Sequence, residues 1–292
     1  MTHTPHKKPL LDRPAERLLL LTLTLVQFTH IVDYMIVMPL GAQLMTIFDI
    51  TPGQFSLLVS VYATAAFAVS FVAAFFVDRF DRKHVLTAAY AGCTLGTIAC
   101  ALAPSFALFL VARAIAGAFG GLIGAVVLSI VGDAIPFERR ATATGAVMMA
   151  FSAASVIGVP AGLYLAAQYN WRMPFAAVAG LALLLQVAIW RWVPSMRGHL
   201  VARADRPRPL DTLRQLFGDA NQVRALLFSI VLMFGHFTII PFIAPYMQLN
   251  VGFSDFELTY IYLVGGSLTV VCLPLFGRVA DRFGNVPVFV GA

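Results

Sequence analysis

Residues 74–83 read AFFVDRFDRK and residues 277–285 read GRVADRFGN. Both place the same tripeptide, Asp78-Arg79-Phe80 and Asp281-Arg282-Phe283, directly after a long apolar run, 203 residues apart. Any tight turn between membrane helices favours charge and glycine, but identical tripeptides after the second span of two successive groups of helices point to a duplication. Residues 1–194 therefore read as a six-helix transmembrane bundle and 222–292 as the start of a second, parallel-repeat bundle, with two full spans and part of a third. Parallel repeats of this kind are one of the architectures of secondary transporters. Between them, residues 195–221 turn polar and basic, with Pro207 and Pro209 as breakers. Leu210, Leu213, Leu216 and Phe217 in that linker have the spacing of a short amphipathic helix on the membrane surface.

Outward from those turns the chain is mostly apolar. Its 292 residues are 60% hydrophobic and 12% charged, with a mean hydropathy of +0.84, whereas soluble domains carry about 25% charged residues. Apolar runs cover 18–39, 54–77, 84–104, 106–133, 141–166, 172–194, 222–247 and 257–277, and a ninth begins at 286–292. Each complete run is long enough to cross a hydrocarbon core of about 30 Å as a helix. Alternating segments of about 10 residues, which a β-barrel would need, do not occur. The fold class is all-α and polytopic. The first run is too long for the apolar region of a signal peptide and lacks a small-x-small cleavage site, so it reads as a genuine first helix. Cys93, Cys100 and Cys272 sit in apolar runs without metal or redox spacing.

Charge gives the orientation. Of 20 Lys and Arg, 18 fall in the N-terminal tail and the even-numbered connections, leaving Arg113 inside a span and Arg172 on the other side. Under the positive-inside rule the N-terminus and those connections are cytoplasmic. The net charge of +6 therefore reads as topology, and no nucleic acid partner is expected.

Few residues can carry chemistry. Asp33 lies in the first span on the order of 15 Å below the outer surface and Arg113 in the fourth about 10 Å below it, so the two are at comparable depth. Intramembrane charges of this sort face a cavity or a partner and mark ion paths. Two readings stand: a switchable pair in which protonation of Asp33 or arrival of substrate releases Arg113, or a static buried salt bridge. His30, one turn before Asp33, suits a proton relay or an ordinary interhelical hydrogen bond, and His236 in the seventh span has the same two readings. Tyr34 and Met38, with the aromatic residues of the seventh span, suit an adaptable lipophilic cavity or simple packing. Gly117, Gly120, Gly121 and Gly124 imply close helix approach in the fourth span, as Gly158 and Gly162 do in the fifth, where Pro160 bends the helix.

The loop at 74–83 resembles the signature of the major facilitator superfamily. The run Leu110-Val-Ala-Arg113-Ala-Ile-Ala-Gly117 is similar to that family's fourth-helix arginine motif. Gly158-Val-Pro160-Ala-Gly162 resembles its antiporter motif, and Trp171-Arg172 and Phe175 follow as in the drug:proton antiporter and arabinose-efflux branch. The resemblance implies proton coupling through Arg113, and a helix at Gly158, Pro160 and Gly162 that packs on the other half and limits leakage. It also implies a cytoplasmic gate in which Asp78 and Arg82 join Asp133, with Asp281 and Arg282 as the repeat's counterparts. Ala74 and Asp81 stand where the family has glycine, and Val159 separates Gly158 from Pro160. At Asp81 an unusual turn conformation is expected, which Asp tolerates better than most residues.

No Walker loop, nucleophile elbow or metalloprotease motif occurs in the sequence, so an enzyme is not expected. The expected function is proton-coupled efflux of a lipophilic, drug-like or sugar-like solute by alternating access. The expected site is a multi-pass protein of the plasma or bacterial inner membrane. No cofactor is expected beyond the proton as coupling ion, and the partners are the substrate and the bilayer. A proton-coupled importer would use the same charges. The chain ends about 7 residues into a run that needs roughly 20 to span. A third reading is therefore a truncated or partner-dependent module, completed by missing C-terminal helices or a second subunit.

Overall fold

The computed structural model describes residues 12–197, 214 and 217–283, and all regular structure among them is helical. Helix α1 (Arg13–Met35) starts on Asp12, whose carboxylate accepts from Ala15 N–H at 3.2 Å. It stops four residues short of the predicted end because the chain turns at 36–40 around Pro39. A short helix, α2 (Gly41–Phe48), follows where a plain connection was expected. It buries Leu44 and ends at Asp49 in the left-handed region (φ 50°). Helix α3 (Pro52–Ala73) opens with a reciprocal capping box in which Gln54 N–H donates to Thr51 Oγ1 at 3.2 Å and Thr51 N–H to Gln54 Oε1 at 2.9 Å. Then come α4 (Arg82–Leu102), α5 (Phe106–Ala134), α6 (Phe137–Ala153), α7 (Val159–Gln168), α8 (Met173–Trp192), α9 (Ala220–Tyr246) and α10 (Asp255–Phe283).

The fifth predicted span is a single rod, α6 and α7, joined by a π-helical turn at Ala154–Gly158. Pro160 lacks the N–H that would continue the α ladder, and the wider turn just before it takes up the mismatch. A second π turn, Met247–Val251, follows Pro241 and Pro245 and ends at Gly252 (φ 86°). Among the described residues, seven rods are long and apolar enough to cross a membrane. The 29-residue α10 occupies the eighth predicted span. The ninth run and most of the expected amphipathic linker helix lie outside the described residues.

The first six rods bury two large apolar clusters, beside a small third one of Ile31, Val32, Ala150 and Ala154. One, at the end where α1 begins (the basic end), holds Leu19, Leu23, Val26, Leu86, Ile123, Val127 and Ile189. The other, at the opposite end, holds Ile36, Leu40, Phe55, Phe109, Leu163, Trp171 and Phe175. Between them lies a buried polar layer of Thr29, Asp33, Thr94, Thr97 and Arg113. Helices α9 and α10 meet the six at the opposite end and midway. Phe242 packs edge-on to Phe55 at 6.2 Å, Ala244 and Leu258 are buried in the second cluster, and a Cβ at Gly266 would stand 2.8 Å from Val156 Cγ2.

Candidate functional site

The polar layer is assembled from four helices. Asp33 comes from the last turns of α1, Arg113 from the second turn of α5, Thr97 from α4 and Tyr62 from the middle of α3. The side chains of Arg113 and Asp33 are 0% and 1% exposed, and Nη1 of the arginine lies 3.2 Å from Asp33 Oδ2. The same Nη1 donates to the Asp33 carbonyl at 3.0 Å. Thr97 Oγ1 donates to Asp33 Oδ1 at 2.9 Å while also bonding back to Cys93 O at 3.0 Å. Each carboxylate oxygen therefore has a donor.

The arginine is less well served. Its Nε and Nη2 are buried with no hydrogen-bond partner among the described residues. The face of the Tyr62 ring fills part of that gap, 4.3 Å from Cζ. A fork that uses one of its corners on a carboxylate and rests on an aromatic face is not the bidentate pair that locks arginine in place. Two of its three guanidinium nitrogens are left outside such bonding among the described residues.

A small cavity of about 10 Å³, lined by Thr29, His30, Asp33, Tyr90, Cys93, Thr94 and Thr97 with Val178 and Ala182 of α8, lies behind the carboxylate. That volume is at the threshold for one water molecule. His30 lines it as expected from the one-turn spacing. Its Nε2 is 3.5 Å from Tyr62 Oη, the long limit of a hydrogen bond, and its Nδ1 has no partner among the described residues. Thr29 Oγ1 and Tyr90 Oη share a hydrogen bond of 2.7 Å on the cavity wall.

The other expected residues fall elsewhere. Tyr34 is half-buried and touches both Tyr62, at 5.1 Å between ring centroids, and Phe237 of α9, at 6.3 Å. Met38 is only 4% exposed, packed into the second apolar cluster from within the turn that follows α1. The backbone places His236 on α9, next to Phe237. Gly158 closes the π turn, and Gly162 and Pro160 are buried in α7. A Cβ at Gly158 would strike Val32, one at Gly162 would lie 3.1 Å from Ile36 Cγ1, and this rod thus lies along α1 beside Asp33.

A second charged site sits at the basic end. Arg82 Nη1 is 2.7 Å from Asp78 Oδ1 and its Nε is 3.4 Å from Asp133 Oδ2, joining the turn after α3 to the end of α5. Asp281 and Arg282 lie in the last turn of α10, with Arg282 exposed.

Asp81 departs from the sequence expectation. Its φ of −58° is ordinary, so no left-handed turn is needed. It caps α4 and holds the chain that leaves α8. Its Oδ1 accepts from Lys83 N–H at 2.9 Å and Met196 N–H at 3.0 Å, and its Oδ2 from Ser195 Oγ and, at 3.3 Å, Arg197 Nε. Partial burial pushes this carboxyl up, but Ser195, the two backbone donors and Arg197 outweigh it and hold it down at about 2. Lys83 Nζ adds a bond of 2.7 Å to Trp190 O.

Sequence reasoning missed Tyr62, Thr97 and the Asp81 clamp. The signal for Tyr62 was indirect. Gly117 and Gly120 announced a close neighbour, and only the fold names it.

Residues 23–292 match the family described as the Major Facilitator Superfamily. The chain is 27% identical over 233 residues to a putative transporter, AraJ, of Escherichia coli, covering 77% of this chain and 56% of that protein. It is 25% identical over 234 residues to a chloramphenicol efflux pump of Mycobacterium tuberculosis, covering 80% of this chain and again 56% of the relative. The chain thus spans little more than half the length of these two relatives. Among solved structures, a bacterial homologue of the human lysosomal transporter Spinster, inward-facing and unoccupied, superposes with a TM-score of 0.74. Its identity is 20%, and 93% of this chain and 64% of that one are covered. At that identity the likeness concerns the fold alone.

Proposed function

Because the chain belongs to the Major Facilitator Superfamily, we propose that this multi-pass membrane protein works as a proton-coupled secondary transporter that exports a lipophilic, drug-like or sugar-like small molecule. The observation that carries the reading is the wholly buried Asp33–Arg113 contact at 3.2 Å. A buried carboxylate is tolerated inside a membrane only while paired or protonated. Taking up a proton removes its attraction for the guanidinium and frees Arg113. Losing the proton draws the arginine back. The carboxyl of Asp33 is compatible with burial in both states, charged while paired and neutral while protonated. The released guanidinium then needs a new partner such as the solute, which is what exchange of a proton for a solute requires.

The rest of the molecule fits alternating access between two bundles. The N-terminus and the turn at 74–83 are cytoplasmic in this reading. Asp78, Arg82 and Asp133 form the cytoplasmic gate, with Asp281 and Arg282 as the second bundle's counterpart. The rod at Gly158, Pro160 and Gly162 seals the bundle interface, and Tyr34 with Phe237 lines the solute cavity. The mycobacterial relative named as a chloramphenicol efflux pump favours export over import.

The test uses the native protein in proteoliposomes with an internal pH dye and chloramphenicol, the solute named for the mycobacterial relative. Under an inside-acid gradient, wild type should accumulate chloramphenicol and release protons, and Asp33→Asn should lose both while still catalysing gradient-free counterflow. Coupled transport that survives Asp33→Asn removes the pair from the mechanism. Accumulation under an inside-alkaline gradient would make the protein an importer.

A further inference from the structure

Tyr62 stands between the ion pair and the second bundle. Its ring face lies 4.3 Å from Arg113 Cζ. Besides His30, which meets its hydroxyl at 3.5 Å, the ring packs on half-buried Tyr34, with ring centroids 5.1 Å apart, and Tyr34 in turn meets Phe237 of α9 at 6.3 Å. A series of ring contacts therefore runs from α9 through Tyr34 and Tyr62 to Arg113, and from there at 3.2 Å to Asp33. We propose that Tyr62 is a positioning residue that keeps Arg113 seated on Asp33 while Tyr34 is packed against the second bundle, and releases it when solute or bundle movement parts Tyr34 from Phe237. This rests on the coupling reading above and adds how the solute cavity is felt at the proton site.

Three features support it. Among the described residues Arg113 makes its oxygen-bound hydrogen bonds through Nη1, so the rest of the guanidinium rests on the Tyr62 face, with the Cys100 thiol also against it. Cation–π contact is strongest where both partners are desolvated, and here Tyr62 is 3% and Arg113 0% exposed. Helix α5 is also shaped around this ring. A Cβ at Gly117 would lie 2.7 Å from Tyr62 Cα, and one at Gly120 would strike the Tyr62 hydroxyl and come within 3.2 Å of His30 Nε2. With α5 behind it and His30 at its hydroxyl, the ring has Tyr34 on its way to the second bundle, and Tyr34 touches Phe237 there. The two-state element is the ring itself, on or off the guanidinium, as a contact-based coupling argument needs.

The experiment measures proton leak in proteoliposomes of the native protein under an imposed pH gradient, first without solute and then with chloramphenicol. Tyr62→Leu removes the aromatic face and should raise the solute-independent leak at least 10-fold, and the added Asp33→Asn change should abolish that leak. Tyr62→Phe keeps the ring and should stay within about 3-fold of wild type. Tyr34→Leu, at a half-buried position, tests the same path if Tyr62→Leu does not reach the membrane, and should raise the leak in the same Asp33-dependent way. Wild-type leak in Tyr62→Leu or, failing its expression, in Tyr34→Leu overturns the proposal, as does a leak that survives Asp33→Asn. If wild type itself shows no Asp33-dependent proton flux, the transport reading fails and takes this one with it, and that result is visible without any Tyr62 variant.

Discussion

Replacing Gly117 by alanine tests the packing on which the polar layer depends. The added methyl would lie 2.7 Å from the Cα and 2.9 Å from the carbonyl carbon of Tyr62, where carbon atoms normally sit about 3.5–4.0 Å apart. Both obstacles are backbone, so no rotamer change relieves the overlap. Helix α3 must back away from α5 by about 1 Å. Overpacking against a fixed neighbour costs about 1–3 kcal/mol, and alanine's better helix propensity returns about 1 kcal/mol of that. A net loss of about 2 kcal/mol is expected, taking the upper part of the range because the clash is with main chain. Gly132 on the same helix is the control, because nothing lies within 4 Å of its would-be Cβ. Gly132→Ala should gain up to about 1 kcal/mol, so the two variants should differ by about 3 kcal/mol. Equilibrium unfolding in mixed micelles, run on both variants side by side, reads that gap. A Gly117→Ala protein as stable as Gly132→Ala would refute the close α3–α5 approach.

Arg113→Met leaves Asp33 buried without its cation and should destabilise the protein by about 3–5 kcal/mol. Adding Asp33→Asn should restore much of that loss, so strict additivity in the double-mutant cycle would mean the pair is not a unit. The Asp81 clamp should respond to acid. Its carboxyl is held at about 2, below the ordinary 3.8, so its contribution is complete above the ordinary value and disappears as pH falls from there through about 2. Protection of the Met196 amide in hydrogen exchange should collapse over that window and nowhere above pH 5. Asp81→Gly, which installs the residue found at the repeat position Gly284, should speed tryptic cleavage after Arg197 several-fold at pH 8. An unchanged cleavage rate would show that the carboxylate does not hold this segment.

Period and length made the rods legible. Runs of about 20 apolar residues have one solution in a bilayer, so the spans and the meeting of Asp33 and Arg113 at one depth could be read from residue numbers. What stayed hidden has a different origin. Helix α2 is eight residues long, too short for its apolar pattern to stand out, and it is held by Leu44 and by packing around Gly41. The π turn at Ala154–Gly158 depends on how a wall of neighbours accommodates Pro160. Tyr62 and Thr97 each look like ordinary span residues, and what singles them out is a partner 51 and 64 positions away in the chain, Arg113 for the one and Asp33 for the other. At Asp81 the family pattern suggested backbone strain, whereas the carboxylate is used for its hydrogen bonds.

That clamp has a mechanical consequence. Bonds from Ser195, Met196 and Arg197 to Asp81 make the chain leaving α8 part of the first bundle as far as Arg197. The chain is therefore held to α4 beyond the end of α8, as far as Arg197. Any load it carries is delivered to the first turn of α4. Arg82 sits in that turn, with its N–H on Met196 O at 3.5 Å and its guanidinium on Asp78 and Asp133. A pull on the chain at Arg197 and the charge state of this cluster thus act on the same few ångströms of backbone.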